Sequence, residues 1–95
     1  MARLIKPSGE SQIVYPADSA KGFTLDELYR LIECETVQMV YLHDEKTMWV
    51  DEEAKLKPEP PPVNAEATKL LRDAGGMVGD LVLGNALICE SGEVQ

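Results

Sequence analysis

Cysteine and histidine are scarce in this 95-residue sequence, which has two cysteines and one histidine. Cys34 and Cys89 lack the paired spacing of a zinc site, and two cysteines give little support to a disulfide framework. Neither cysteine stands at a suggestive distance from His43, so nucleophilic catalysis has no positive evidence. We expect both cysteines to be small buried apolar groups. No metal and no cofactor is predicted.

Positive charge is also in short supply. Lysine and arginine number 9 against 17 aspartates and glutamates, which gives a net charge of -8. Such a chain repels nucleic-acid phosphates, and we therefore expect no direct DNA binding. Imitation of nucleic acid by an acidic surface is the alternative, but the acidic residues are interspersed with basic ones. An ordinary solvated surface is the better-supported interpretation.

Long apolar runs are absent as well. No stretch approaches the roughly 18 apolar residues that a membrane span needs, and the first six residues lack the apolar region of a signal peptide. We therefore predict a cytoplasmic protein with no membrane contact. A 95-residue chain with 44% hydrophobic residues has room for a single domain, residues 1–95, around one modest core.

The first part of the sequence predicts a hairpin and a helix. The stretches 2–6 and 11–15 carry β-branched residues and flank a Pro-Ser-Gly turn. Thr24 and Glu27 form the pattern of a capping box, in which each side chain bonds the other residue's backbone amide. The apolar residues that follow have helical spacing, which predicts a helix lying on a sheet. They are Leu25, Leu28, Tyr29 and Ile32.

A second hairpin follows. The stretch 36–43 contains the unbroken apolar run 39–42, which is typical of a central strand covered on both faces. A polar turn at 44–46 leads to a partner strand at 47–50. The prolines at 58 and 60–62 then predict an extended connector, because proline cannot donate a backbone hydrogen bond.

The last part predicts a second helix and a central strand. Asn64 is a good N-cap, and Gly75 suits the left-handed conformation that ends a helix. After a loop at 76–80, the nearly apolar stretch 81–89 predicts the final strand. The order β-β-α-β-β-α-β describes an α+β fold with about five strands and two helices. Strand order is left open, as is whether the helices share one face.

The stretch 36–90 resembles a family of small proteins of unknown function found in phages, plasmids and other mobile elements. The resemblance rests on an apolar hairpin followed by the segment 51–57 (DEEAKLK), a Pro-rich approach to the helix start 64–68 (NAEAT), and the strand 79–86 (GDLVLGNA). It implies an accessory protein in the cytosol of a host cell, a class that counters host defence by sequestering nucleotide signals or blocking an effector. It implies no catalytic residues.

Polar residues within the apolar second half are the first candidates for a ligand site. Asn85 follows Gly84 inside an apolar stretch, where a buried amide needs partners. Asn64 and Thr68 are further candidates, but their side chains could instead form hydrogen bonds within the first turn of the helix. Aromatic rings that could stack on a base and cations that could meet phosphates complete a possible nucleotide pocket, with core aromatics and surface cations as the alternative. These further candidates are Tyr41, Trp49, Lys55, Lys57 and Arg72.

The leading functional hypothesis is a non-catalytic protein that sequesters a small nucleotide-like immune signal. Two alternatives remain: an acidic inhibitor that binds a host effector protein, and a small hydrolase that uses carboxylates of the second hairpin, at 44–45 and 51–53. A core this small leaves little room for a deep cavity, so a pocket between subunits is favoured and we expect a homo-oligomer.

Overall fold

The computed structural model of the chain describes residues 2–75 and 81–94. It has the predicted α+β fold, with five strands and two α-helices in the order β-β-α-β-β-α-β. The elements are β1 (Ala2–Ile5), β2 (Ser11–Val14), α1 (Leu25–Ile32), β3 (Val37–Tyr41), β4 (Lys46–Asp51), a 3₁₀ turn (Ala54–Leu56), α2 (Ala65–Asp73) and β5 (Ala86–Glu90).

The strands form one antiparallel sheet in the order β2-β1-β5-β4-β3. Both predicted hairpins are confirmed, and β5 is central as predicted, since it lies between β1 and β4. The predicted central position of the strand at 36–43 is wrong, because β3 is an edge strand. Its apolar run alternates between two environments: Val40 and Leu42 pack against the core, whereas Met39 and Tyr41 are exposed.

The two helices lie on opposite faces of the sheet. Leu28 and Ile32 of α1 pack with Leu87 of β5, whereas Ala67 of α2 packs with Ala86 of the same strand. Successive residues of a strand point to opposite faces, so these contacts place one helix on each side. The central strand is thus covered twice, which explains why its sequence is apolar without alternation.

Helix α1 begins with the predicted capping box. Thr24 Oγ1 accepts a hydrogen bond from the Glu27 amide at 3.2 Å, and the Glu27 carboxylate accepts from the amides of Ala17 and Thr24 at 2.9 and 3.1 Å. These two backbone bonds hold the pKa of Glu27 below its ordinary value. The predicted apolar stripe is only partly buried, because Leu25 in the first turn is 52% exposed.

Helix α2 is attached to the sheet through polar side chains at its start. Asn64 is fully buried, and its Oδ1 accepts from the Ala67 amide at 3.1 Å, as expected of an N-cap. Its Nδ2 donates to the carbonyls of Ile5 and Gly84, both at 2.9 Å. Thr68 Oγ1 accepts from the Val82 amide at 2.9 Å. One turn of helix therefore anchors β1 and the approach to β5.

The end of α2 and the approach to β5 depend on two glycines. Gly75 follows the helix with φ +96°, as predicted, and the predicted loop at 76–80 lies outside the described residues. Gly84 has φ +80°, and a Cβ there would lie 3.2 Å from Cγ of Pro61. The predicted strand at 81–89 accordingly begins only at Ala86, after the chain has turned at Gly84.

Replacing Glu27 with glutamine tests the capping box through pH. The folded-state pKa of Glu27 lies below its ordinary value of 4.5, so the stabilisation is complete above that value and is lost as the pH falls through the folded pKa. We expect the melting temperature of Glu27→Gln to depend less steeply on pH below pH 4.5 than that of wild type. Thermal unfolding followed across this range, with Asp26→Asn of the same helical turn as the control, measures the effect.

Replacing Asn64 tests whether α2 depends on the cap alone or also on the contacts to the sheet. We expect Asn64→Ala to lower the free energy of unfolding by about 2 to 4 kcal/mol, because a cap is lost and two buried carbonyls lose a donor. Asn64→Asp keeps the capping oxygen but not the amide donors. Identical urea unfolding curves for Asn64→Asp and wild type would contradict a role for the Ile5 and Gly84 contacts.

Candidate functional site

A groove of about 470 Å³ opens beside the end of α1, where several loops converge. Its walls come from the turn of the first hairpin, the last turn of α1, the Pro-rich connector and the Gly84 bend. The lining side chains comprise carboxylates, lysines, a buried amide, a hydroxyl and apolar groups. They are Lys6, Pro7, Ser8, Ile32, Glu33, Asp51, Lys57, Glu59, Pro61, Pro62 and Asn85, together with Gly84.

Asn85 is the most buried amide of the groove, with 8% of its surface exposed. Its Nδ2 donates to the Leu31 carbonyl at 3.1 Å and to Glu33 Oε2 at 2.9 Å. Glu33 reaches this position because it ends α1 in the left-handed conformation, at φ 62°. No donor among the described residues bonds Asn85 Oδ1. The Asn85 amide therefore fixes the end of α1 beside the groove.

Asp51 and Lys57 form an ion pair at the other wall. The Lys57 ammonium lies 2.5 Å from Asp51 Oδ2, and Asp51 Oδ1 accepts from the Glu53 amide at 2.9 Å. The hydrogen bond to Asp51 raises the pKa of Lys57 above its ordinary value. The Asp51 side chain is buried, whereas Lys57 is partly exposed. The pair closes the loop after β4 and neutralises one of the groove's two lysines.

The charge of the groove is negative. Three carboxylates, of Glu33, Asp51 and Glu59, face two ammonium groups, of Lys6 and Lys57. Lys6 also has Glu10 at 4.0 Å, a largely exposed contact that contributes little. The remaining field favours a ligand that carries positive charge or several hydrogen-bond donors. The proline rings of the groove supply apolar contact area.

The predicted ligand residues separate into groups. Asn85 and Lys57 line this groove together. Asn64 and Thr68 are buried and bonded inside the protein, which favours their structural alternative. The other two polar candidates lie elsewhere. Lys55 lines a different cavity of about 380 Å³ on the α2 side of the sheet, and Arg72 is exposed in the last turn of α2.

The two predicted aromatic residues lie on the α1 side of the sheet. Trp49 is half-buried in the core beside α1, and its Nε1 donates to Thr47 Oγ1 at 3.1 Å. Tyr41 is 74% exposed at the sheet edge. Neither ring lines the groove, so within one chain the eight predicted residues do not form a single pocket.

The carboxylates of the second hairpin do not come together. Asp44 and Glu45 occupy the turn before β4, where their positive φ angles suit a tight hairpin. Asp51 lies at the far end of β4, roughly 20 Å away at the usual rise of a strand. The arrangement considered for a hydrolase is therefore not formed by these residues.

Neither cysteine has the environment of a nucleophile. Burial, and secondarily Asp51, raises the pKa of the Cys34 thiol. Burial raises the pKa of Cys89 to about 12. Raised thiol pKa values disfavour the reactive thiolate. Among residues 2–75 and 81–94 no cluster of three or more histidine, cysteine or carboxylate side chains could hold a metal ion.

Several groove residues escaped sequence reasoning. Glu33 has a weak signal in the sequence, since it directly follows the last apolar residue of the helical pattern, where a helix can end. Lys6, Pro7 and Glu59 carry none, because they reach the groove through contacts between segments far apart in sequence. Asn85 is predictable, because an amide beside a glycine is unusual in an apolar stretch.

The chain belongs to a family described as a domain of unknown function (DUF3846), whose model matches residues 2–94. The match confirms a domain of unknown function over nearly the whole chain, including the stretch 36–90. No curated protein and no solved structure matches it. Among the described residues, no helix is long and apolar enough to cross a membrane.

Substitution of Asn85 tests whether its amide holds the end of α1. We expect Asn85→Ala to destabilise the protein by about 1 to 3 kcal/mol, because the Leu31 carbonyl and the Glu33 carboxylate lose their donor. Glu33→Gln is the matched control, since it keeps an acceptor for the Asn85 amide and should change stability little. Urea titrations measure both. An Asn85→Ala protein as stable as wild type would show that its amide bonds do not hold the end of α1.

Proposed function

We propose that this protein is a non-catalytic binding protein whose acidic groove holds a basic segment of a partner protein. The observation that carries the proposal is the groove itself. Three carboxylates and the Asn85 side chain line it, and because Asp51 is paired with Lys57, the unpaired lining charges are those of Glu33 and Glu59 against Lys6. Arginine suits such a site, because its guanidinium donates paired hydrogen bonds to carboxylates.

The biological setting is part of the same proposal. The resemblance to proteins of phages and plasmids suggests an accessory protein of a mobile element, and the partner would then be a defence protein of the host. A net charge of -8 supports this role, because opposite charge accelerates the encounter with a basic surface. A single copy of the chain forms the groove, and the groove is open to solvent, so it can admit a segment of another protein.

Capture of a nucleotide-like signal is the second candidate, and one observation favours it. Asn85, Lys57 and Lys6 line the same groove, so an amide that could contact a base lies near ammonium groups that could contact phosphate. Two lysines against three carboxylates make a weak phosphate site, since the excess negative charge repels the ligand. For this reason the basic segment is the better-supported occupant.

Peptide binding tests the groove directly. We expect a short fluorescein-labelled peptide of alternating arginine and alanine to bind, and its glutamate counterpart not to bind, by fluorescence anisotropy. Removing two groove charges with Glu33→Gln and Glu59→Gln should weaken binding roughly 5- to 30-fold, about 1 to 2 kcal/mol. Asp26→Asn with Glu45→Gln removes the same charge outside the groove and should weaken binding much less.

Two results would count against this function. If the double variants inside and outside the groove lose affinity equally, the peptide responds to net charge and not to the groove. Incubation with cyclic and linear nucleotides supplies the second test. Nucleotide recovered unaltered after heating supports signal capture, and product formation supports hydrolysis.

A further inference from the structure

Strand β3 exposes a row of backbone groups at the edge of the sheet. The Leu42 amide donates to the Lys46 carbonyl and the Glu52 amide to the Thr36 carbonyl, so even-numbered residues bond β4. In an antiparallel pair the intervening residues turn their N–H and C=O groups the other way. These outward groups belong to the residues at 37, 39 and 41. Among the described residues no strand pairs with this edge.

The side chains of the same three residues lie on the α1 face of the sheet. Helix α1 packs over β4 and β5, which leaves Met39 and Tyr41 38% and 74% exposed. The strand sequence VQMVY contains no charge and no proline. Natural edge strands are commonly protected from pairing by lysine, proline or a bulge. This edge has neither of the first two within its span.

We propose that a second copy of the chain pairs antiparallel with β3 about a twofold axis at Met39. In this register Met39 faces the partner's Met39, and Val37 faces the partner's Tyr41 at both ends. All three positions point outward, so each pair exchanges both backbone hydrogen bonds. The result is a continuous ten-stranded sheet built from two five-stranded ones.

Charge and symmetry favour a second copy as the occupant. Two chains of net charge -8 repel each other, but the β3 strands that would pair with each other carry no charge. Just beyond the strand the register places Glu35 level with the partner's His43, so a carboxylate does not meet a carboxylate there. The residues at 37, 39 and 41 are all apolar, so the twofold rotation places an apolar side chain opposite an apolar side chain at each of the three positions.

The dimer has a consequence for the predicted aromatic residues. Met39 pairs with Trp49 across the β3–β4 ladder, and Tyr41 lies on the same face. The dimer would bring both rings from each copy to one side of the sheet, near an interface between subunits. The acidic groove contains no residue of β3. The dimer interface and the proposed partner binding can therefore be tested independently.

Edge-strand lysine variants test the interface, with light scattering as the measurement. From micromolar to near-millimolar concentration, wild type should approach twice the 10.5 kDa chain mass. Met39→Lys should remain at the single-chain mass, because two ammonium groups would meet at the axis. Ile13→Lys is the matched control, since it places an exposed lysine on the opposite edge, in β2, and should leave the dimer intact.

Circular dichroism shows whether the variants are folded, and Tyr41→Lys provides a second variant at a highly exposed position. We expect Tyr41→Lys to weaken the dimer at least about tenfold, since it places a charge beside an apolar partner residue. A wild-type mass of 10.5 kDa at every concentration would overturn the proposal. So would a dimer that survives both β3 variants, or one that is lost in Ile13→Lys.

Discussion

The buried side chain of Asn64 is the contact on which the arrangement of loops depends. Its oxygen starts α2, while its amide holds the Ile5 carbonyl at the end of β1 and the Gly84 carbonyl before β5. Because all three bonds are made at once, the helix start, the first hairpin and the Gly84 bend keep one mutual position. Gly84 then packs on Pro61 and places Asn85 beside the end of α1. The groove is the space that these constraints leave between the loops.

The groove is acidic for structural reasons as well as compositional ones. Glu33 is held at its rim by the Asn85 amide, and Asp51 is buried in a bond to the only lysine that reaches it among the described residues. Neither carboxylate is therefore free to turn away from the groove. For the proposed basic ligand, the Glu33 carboxylate would already be in place, so little ordering of its side chain would be needed on binding.

Sequence reasoning located the elements because their signals are local. Thr24 with Glu27, and Asn64 at the second helix, are caps whose partners lie within one turn. The predicted central position of β3 is wrong because an apolar run of four residues fits both a central strand and an edge strand. The run does not show whether each face is buried or exposed. Strand order decides that the helices lie on opposite faces and that distant loops form the groove. No local sequence pattern predicts strand order. The position of Asn85 beside Gly84 in an apolar stretch marks it as a candidate, whereas its partner Glu33 has no comparable signal.

The central position of β5 also governs the order in which this protein can assemble. Within the described part of the chain, the first hairpin joins the second through residues 86–90, which follow both of them in sequence. During synthesis the two hairpins can each form early, but they have no common sheet until these residues emerge. Contacts between β1 and β5, at opposite ends of the chain, form slowly, since a long loop must close first. A nascent chain lacking β5 therefore carries exposed strand edges that chaperones can bind before the sheet closes.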